Sequence, residues 1–198
     1  MKKTILILLL LLCQKGFAQI TTVMFLDIPT VDGEYVIVNA NRTTVTPAPT
    51  KTSNLLISNY SFSWVNDTRI VKGTTTSTVK NGKVNLFGEM TVNFQIDKSV
   101  IALFDRLVNN TNVPIIDLFI DKPANIPTPQ TEIKRIRMEG VTISELSLTS
   151  AEIPQYYMKL KFEKVSIIEH NINGVGVVTK GTSYGWNFLT VSPYSYSF

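Results

Sequence analysis

One cysteine and one histidine are all that the 198 residues hold of the two types most used for metal binding and nucleophilic catalysis. The cysteine, Cys13, lies in an N-terminal leader, so the processed chain has no disulfide, thiol nucleophile or thiolate metal site. Apolar burial alone must hold the fold, which a chain of this length can manage. The histidine, His170, follows Glu169 at the end of a strand-like run and reads as a surface residue. A general base would need a nucleophile and an orienting carboxylate arranged around it. Long apolar runs are also missing. Residues 5–12 are too few to span a bilayer, which takes about 20. Nor does one sign of charge prevail. The formal net charge is +4, but Lys2, Lys3 and Lys15 belong to the leader, leaving sixteen basic against fifteen acidic residues. That balance gives no support for nucleic-acid binding.

What is present begins with the leader. Lys2 and Lys3 form a positive start, residues 5–12 an apolar centre, and Gly16 and Ala18 the small residues before a cleavage site. Residues 1–18 are expected to be a signal peptide, leaving Gln19 as the mature N-terminus and 19–198 as one domain. An acylated Cys13 would need Gly, Ala or Ser where Leu12 stands. The expected location is periplasmic or secreted, without stable membrane insertion after cleavage.

Beyond the leader the chain reads mainly as strand. Residues 22–28 and 34–38 flank a turn centred on Asp32-Gly33, and 39–53 is polar with Pro47 and Pro49, hence a loop. Residues 55–65 and 84–96 alternate apolar and polar side chains, as do 156–168, where Met158, Leu160 and Phe162 oppose Lys159, Lys161 and Glu163. Glu139-Gly140 marks a bend within the long run 133–148, and three prolines keep 121–130 at the surface. Residues 92–108 are the exception. Val92, Phe94 and Ile96 alternate as a strand, Asp97 stands where an N-cap belongs, and Val100, Leu103, Phe104, Leu107 and Val108 form an apolar helical stripe closed by Asn109 and Asn110. About nine strands and one helix, near 98–109, predict a two-sheet β-barrel or sandwich with a flanking helix.

Candidate chemistry is sparse. Asp117 and Asp121, four apart on a strand, would share a face and could form a carboxylate pair of the glycoside-hydrolase kind. Lys134, Arg135 and Arg137 are the densest positive run, read as a solvated or interface strand because Glu132 and Glu139 flank it. Tyr156, Tyr157, Tyr184, Trp186, Tyr194 and Tyr196 could stack sugars, fill a sheet core or anchor a subunit contact. Asn41, Asn59, Asn66 and Asn109 begin Asn-x-Ser/Thr triplets of the kind that arise by chance in Asn/Thr-rich chains. No catalytic residue, cofactor or metal site is assigned.

Several pieces in order resemble the haemolysin-coregulated protein (Hcp) family, the inner-tube protein of type VI secretion. They are MFLDI with VDGE, SNYSFSWVND, NFQIDKSVIALFDRLV, YMKLKFEKVSIIEHN and SYGWNFLT, spanning Met24 to Thr190. The resemblance implies a two-sheet barrel with one helix, no enzymatic activity, homo-hexameric rings that stack into a tube, and carriage of secreted effectors. It also implies that stacking uses the loop over 66–83, with Asn66, Lys72, Gly73, Thr74, Thr75, Thr76, Ser77, Thr78, Val79, Asn81 and Gly82 at the contact. The alternative is a secreted monomeric binding module on the same barrel, attaching to glycans or surfaces through the C-terminal aromatics.

Overall fold

The computed structural model describes residues 22–37, 42–43, 47–65, 87–123, 130–149, 154–173, 177–194, 196 and 198. The leader and the 66–83 loop, with all eleven of its expected contact residues, lie outside the described residues. In chain order the elements are β1 (Val23–Asp27), β2 (Tyr35–Val36), β3 (Arg42–Thr43), β4 (Ser53–Ile57), β5 (Asn59–Val65), β6 (Phe87–Gln95), α1 (Val100–Val108), β7 (Val113–Lys122), β8 (Gln130–Thr149), β9 (Gln155–Phe162), β10 (Lys164–Glu169), β11 (Asn171–Ile172), β12 (Val178–Thr179), β13 (Ser183–Asn187) and β14 (Ser192–Pro193). The expected nine strands become fourteen among the described residues. The surplus is mostly two-residue pairings such as β2, β3 and β14, too short to leave a periodic signal.

Two sheets face each other across one core. The larger follows the path β14-β13-β10-β8-β7-β1-β4-β2, and the smaller joins β5 to β6 to β9. β8 serves both. Its first half pairs with β7 and β10, and from Thr142 onward it pairs with β9. Gly140 sits at the change-over with φ +63, a left-handed conformation that a side chain would oppose. The bend expected at Glu139-Gly140 is therefore where one strand leaves one sheet for the other. On the opposite side, β4 passes into β5 at Ser58, whose amide donates to Asn93 O at 2.8 Å. No ladder joins β4 to β5, so the architecture is a wrapped sandwich rather than a closed barrel.

The Ser58 corner corrects the reading of 55–65 as one strand. Leu55 and Ile57 are buried, whereas beyond the corner Tyr60 and Phe62 pack on the core. The inward parity switches from odd to even, because a strand crossing between sheets must rotate its faces. β6 and β9 keep strict alternation, with Met90, Val92 and Phe94 against Met158, Leu160 and Phe162.

α1 packs on the core through Leu103, which is fully buried, with Val100, Ala102 and Leu107 partly so. Two stripe residues do not follow. Phe104 and Val108 face outward with Ile101, and Ile96 is exposed once β6 ends at Gln95. The helix ends as expected. Asn110 adopts φ +47, its amide donates to Leu107 O, and that of Thr111 donates to Arg106 O.

Candidate assembly surface

The strand-to-helix junction is built around Asp97. Its Oδ1 accepts the Ser99 amide at 2.8 Å, two residues on, the geometry of a capping side chain. Its Oδ2 accepts the amide of Glu34 at 2.9 Å, and Glu34 Oε1 accepts the Lys98 amide at 3.1 Å. The regular helix begins only at Val100, so Ser99 occupies the formal N-cap, yet its hydroxyl is buried without a partner. The exchange between Asp97 and Glu34 fixes the Asp32-Gly33 turn against the start of the helix. Arg106 adds a second tie, donating to Pro29 O at 3.2 Å and to the Thr30 hydroxyl.

Beside this junction lies an open cleft of about 340 Å³, lined by Glu34, Tyr35, Leu56, Ile57, Ser58, Gln95, Ile96 and Asp97. Leu56 and Ile96 leave about half or more of their surface to solvent there, at 46% and 66%. The lining joins residues of β2 and β4, at one end of the larger sheet, to the end of β6. At the other end of that sheet, the turn between β13 and β14 presents Leu189 and Val191, again largely exposed.

The outer face of the larger sheet holds most of the expected chemistry, but buried. Asp27, Asp117 and Arg137 lie in one cross-strand row, and Phe25, Phe119 and Arg135 in the next. Arg137 forms a two-pronged ion pair with Asp117, at 2.8 and 2.5 Å. The Arg135 guanidinium stacks 4.1 Å from the Phe119 ring, donates to Pro47 O, and holds Glu132 at 3.1 and 2.9 Å. A register shift at Ile120/Asp121 in the β7–β8 ladder opposes Asp121 to Glu132 and leaves Ile133 as the extra residue. That bulge turns Glu132 onto the outer face. His170 Nε2 lies 3.1 Å from Glu132 Oε1.

This layer overturns two expectations. Arg135 and Arg137 are 1% and 9% exposed rather than solvated; of the basic run only Lys134 reaches the surface, where it meets Glu169 at 2.7 Å. His170 is buried rather than a surface residue, because residue 132 reaches its ring from another strand. Asp117 and Asp121 do share a face, but Asp117 is taken by Arg137 and Asp121 accepts the Gln130 amide at 2.8 Å. The chain is expected to lack a G-x-S-x-G nucleophile elbow, yet Gly181-Thr182-Ser183-Tyr184-Gly185 has that spacing. Ser183 opens β13 opposite Ile168, with no helix following, and buried His170 Nδ1 has no hydrogen-bond partner. Among the described residues, the strand–turn–helix setting that exposes such a serine is missing.

Asp27, 3% exposed, accepts the Thr50 amide at 2.6 Å and the Thr50 hydroxyl at 2.9 Å. Burial pushes its pKa up, against the lowering effect of those bonds, and Asp117 opposite adds to the rise. The aromatics do not gather into one platform. Tyr156 stacks on Phe94, Tyr196 lies over the Arg137 guanidinium at 4.2 Å, and Tyr184 is exposed. Tyr194 donates to Glu139 at 2.5 Å, and burial together with that bond pushes its hydroxyl up to about 12.

Comparison with known proteins gives one consistent answer. A family model described as "Type VI secretion system effector, Hcp" matches residues 49–170. Among solved structures, one described as a type six secretion system protein aligns with a TM-score of 0.62 at 16% identity, covering 88% of this chain and 100% of that one. Hcp1 from Salmonella typhimurium aligns at 0.58 with 14% identity, covering 87% and 99%. A type VI secretion system effector from Yersinia pestis aligns at 0.57 with 14% identity, covering 83% and 98%. At such identities the likeness establishes the fold. No curated protein sequence matches.

Proposed function

This chain belongs to the Hcp family of type VI secretion, and from that premise we propose that it is an exported structural subunit that assembles with copies of itself into six-membered rings. Residues 1–18 direct export and are removed. The rings stack through the 66–83 loop and carry effector proteins, and the subunit performs no catalysis. The observation that carries the structural role is the state of the candidate catalytic groups: Asp117, Asp121 and His170 are all buried and engaged with neighbouring side chains. Self-assembly draws support from the outer face of α1, where Ile101 is 82% and Val108 65% exposed. With Phe104 between them they form an apolar stripe on one helix face, a candidate surface for contact with another copy. Among the described residues no helix is long and apolar enough to cross a membrane.

The test is negative-stain electron microscopy of the chain expressed from Gln19. Rings with a central hole are expected, and isolated compact particles at every concentration would overturn the proposal.

A further inference from the structure

We propose that the outer face of the larger sheet carries a peptide seat, filled in cis by the chain's own residues 194–198. When that tail lifts, the seat takes an extended segment with aromatic side chains at alternate positions. It lies within one copy of the chain and needs no ring.

The tail, Tyr-Ser-Tyr-Ser-Phe, carries no charge and has an aromatic at every second position, so an extended run of it presents all three rings on one side. It leaves the sheet edge at Gly185. The Tyr194 amide donates to Gly185 O at 3.0 Å, and a Cβ on Gly185 would stand 2.6 Å from Tyr194 O, so the glycine admits the tail there. Beyond that point the ties among the described residues come from side chains rather than from a strand ladder. The Tyr194 hydroxyl donates to Glu139 Oε1 at 2.5 Å, and its ring lies 5.1 Å from Lys164 Nζ. Tyr196 covers the Arg137 guanidinium at 4.2 Å, and Phe198 meets Tyr196 edge-on with centroids 5.1 Å apart. Lys180 Nζ donates to Phe198 O at 2.6 Å.

The binding groups are held in place without the tail. Both Asp117 oxygens grip Arg137 by its edge, which leaves the flat face of the guanidinium to take a ring. Lys164 holds Glu139 through Oε2 at 3.4 Å, leaving Oε1 to accept a hydroxyl and so to select tyrosine at the first position. The occupant, in turn, is dispensable to the core. None of its three aromatics belongs to the apolar cluster between the sheets, and each is only partly buried. The closed state also carries a cost. Close to the entry point, within 2.7 Å of where a Gly185 Cβ would stand, the Ser166 hydroxyl is buried without a partner, and water reaching it as the tail lifts would relieve that cost.

The test uses the chain from Gln19 and the peptide Tyr-Ser-Tyr-Ser-Phe carrying fluorescein at its N-terminus. Tyr196→Ala combined with Phe198→Ala empties the seat without shortening the chain, and fluorescence anisotropy should show this variant binding the peptide. A tail that fills the seat about nine-tenths of the time makes the unsubstituted chain bind about tenfold more weakly. The Arg137 Nε–H resonance reports where the peptide sits: loss of the Tyr196 ring should move it, and the peptide should move it back. A double variant that does not bind, an unsubstituted chain that binds equally well, or a resonance that the peptide leaves in place would each overturn the proposal. Should the double variant fail to fold, Lys180→Ala, at an exposed residue, supplies the second readout. It frees Phe198 O, so the Arg137 resonance should move in the same direction at an unchanged melting temperature. An unmoved resonance, or a melting temperature that falls in step with it and so makes the tail part of the fold, overturns the proposal.

Discussion

Asp97 and Glu34, 63 residues apart, each accept a backbone amide from the other's segment: Glu34 N–H on Asp97 Oδ2, Lys98 N–H on Glu34 Oε1. This exchange, rather than a serine cap, sets the start of α1. Asp97→Ala removes two hydrogen bonds to a charged acceptor and should cost about 2–3 kcal/mol, or a fall of about 4–12 °C in melting temperature. Ser99→Ala deletes a buried hydroxyl with no partner and should leave it unchanged or slightly higher. Thermal unfolding of the two variants side by side checks the assignment, and equal losses would refute it.

The buried cluster under residue 47 gives a steeper expectation. Glu132→Gln leaves Arg135 in the interior without its counter-charge, and breaking a buried pair in this way costs about 3–5 kcal/mol. Combining it with Arg135→Met should recover most of the loss, since Met can still pack against Phe119. A double variant no better than the single one would show that the stacked guanidinium, not the charge balance, holds the site.

Asp27 supplies the pH dependence. Its folded pKa is raised above the ordinary 3.8, chiefly by burial. A carboxyl raised on folding contributes stability that is full below 3.8 and is lost as pH rises through the folded value. Asp27→Asn keeps an acceptor for the Thr50 amide and removes repulsion with Asp117. The variant should therefore melt at or above the unsubstituted temperature at pH 7, and lose that advantage in acid. Chemical denaturation at several pH values reads this out; a variant less stable at pH 7 would contradict it.

Most of this was only partly legible in the sequence. The strand into α1, its Asn109-Asn110 end and the Gly140 bend rest on local spacing, and local spacing carried them. Phe104 and Val108 show the limit: periodicity identifies a stripe but not which part of it the sheet covers. Leu55 to Val65 reads as one strand because the Ser58 corner has no Gly or Pro to announce it. Arg137 and His170 look solvated because their partners, Asp117 and Glu132, come from other strands; Arg135 pairs with Glu132 on its own strand, but the Phe119 ring and Pro47 O that enclose it lie far off in the chain.

Shortening the 66–83 loop by removing Thr74–Val79 should leave single rings intact and prevent their stacking in electron micrographs. Tubes of unchanged length would assign stacking to another segment.

The central claim is that this fold exists to be repeated, and its mass in solution tests that most directly. Sedimentation velocity on the chain from Gln19 should give a discrete species of six times the monomer mass. A single monomeric boundary across the accessible concentration range would contradict the account.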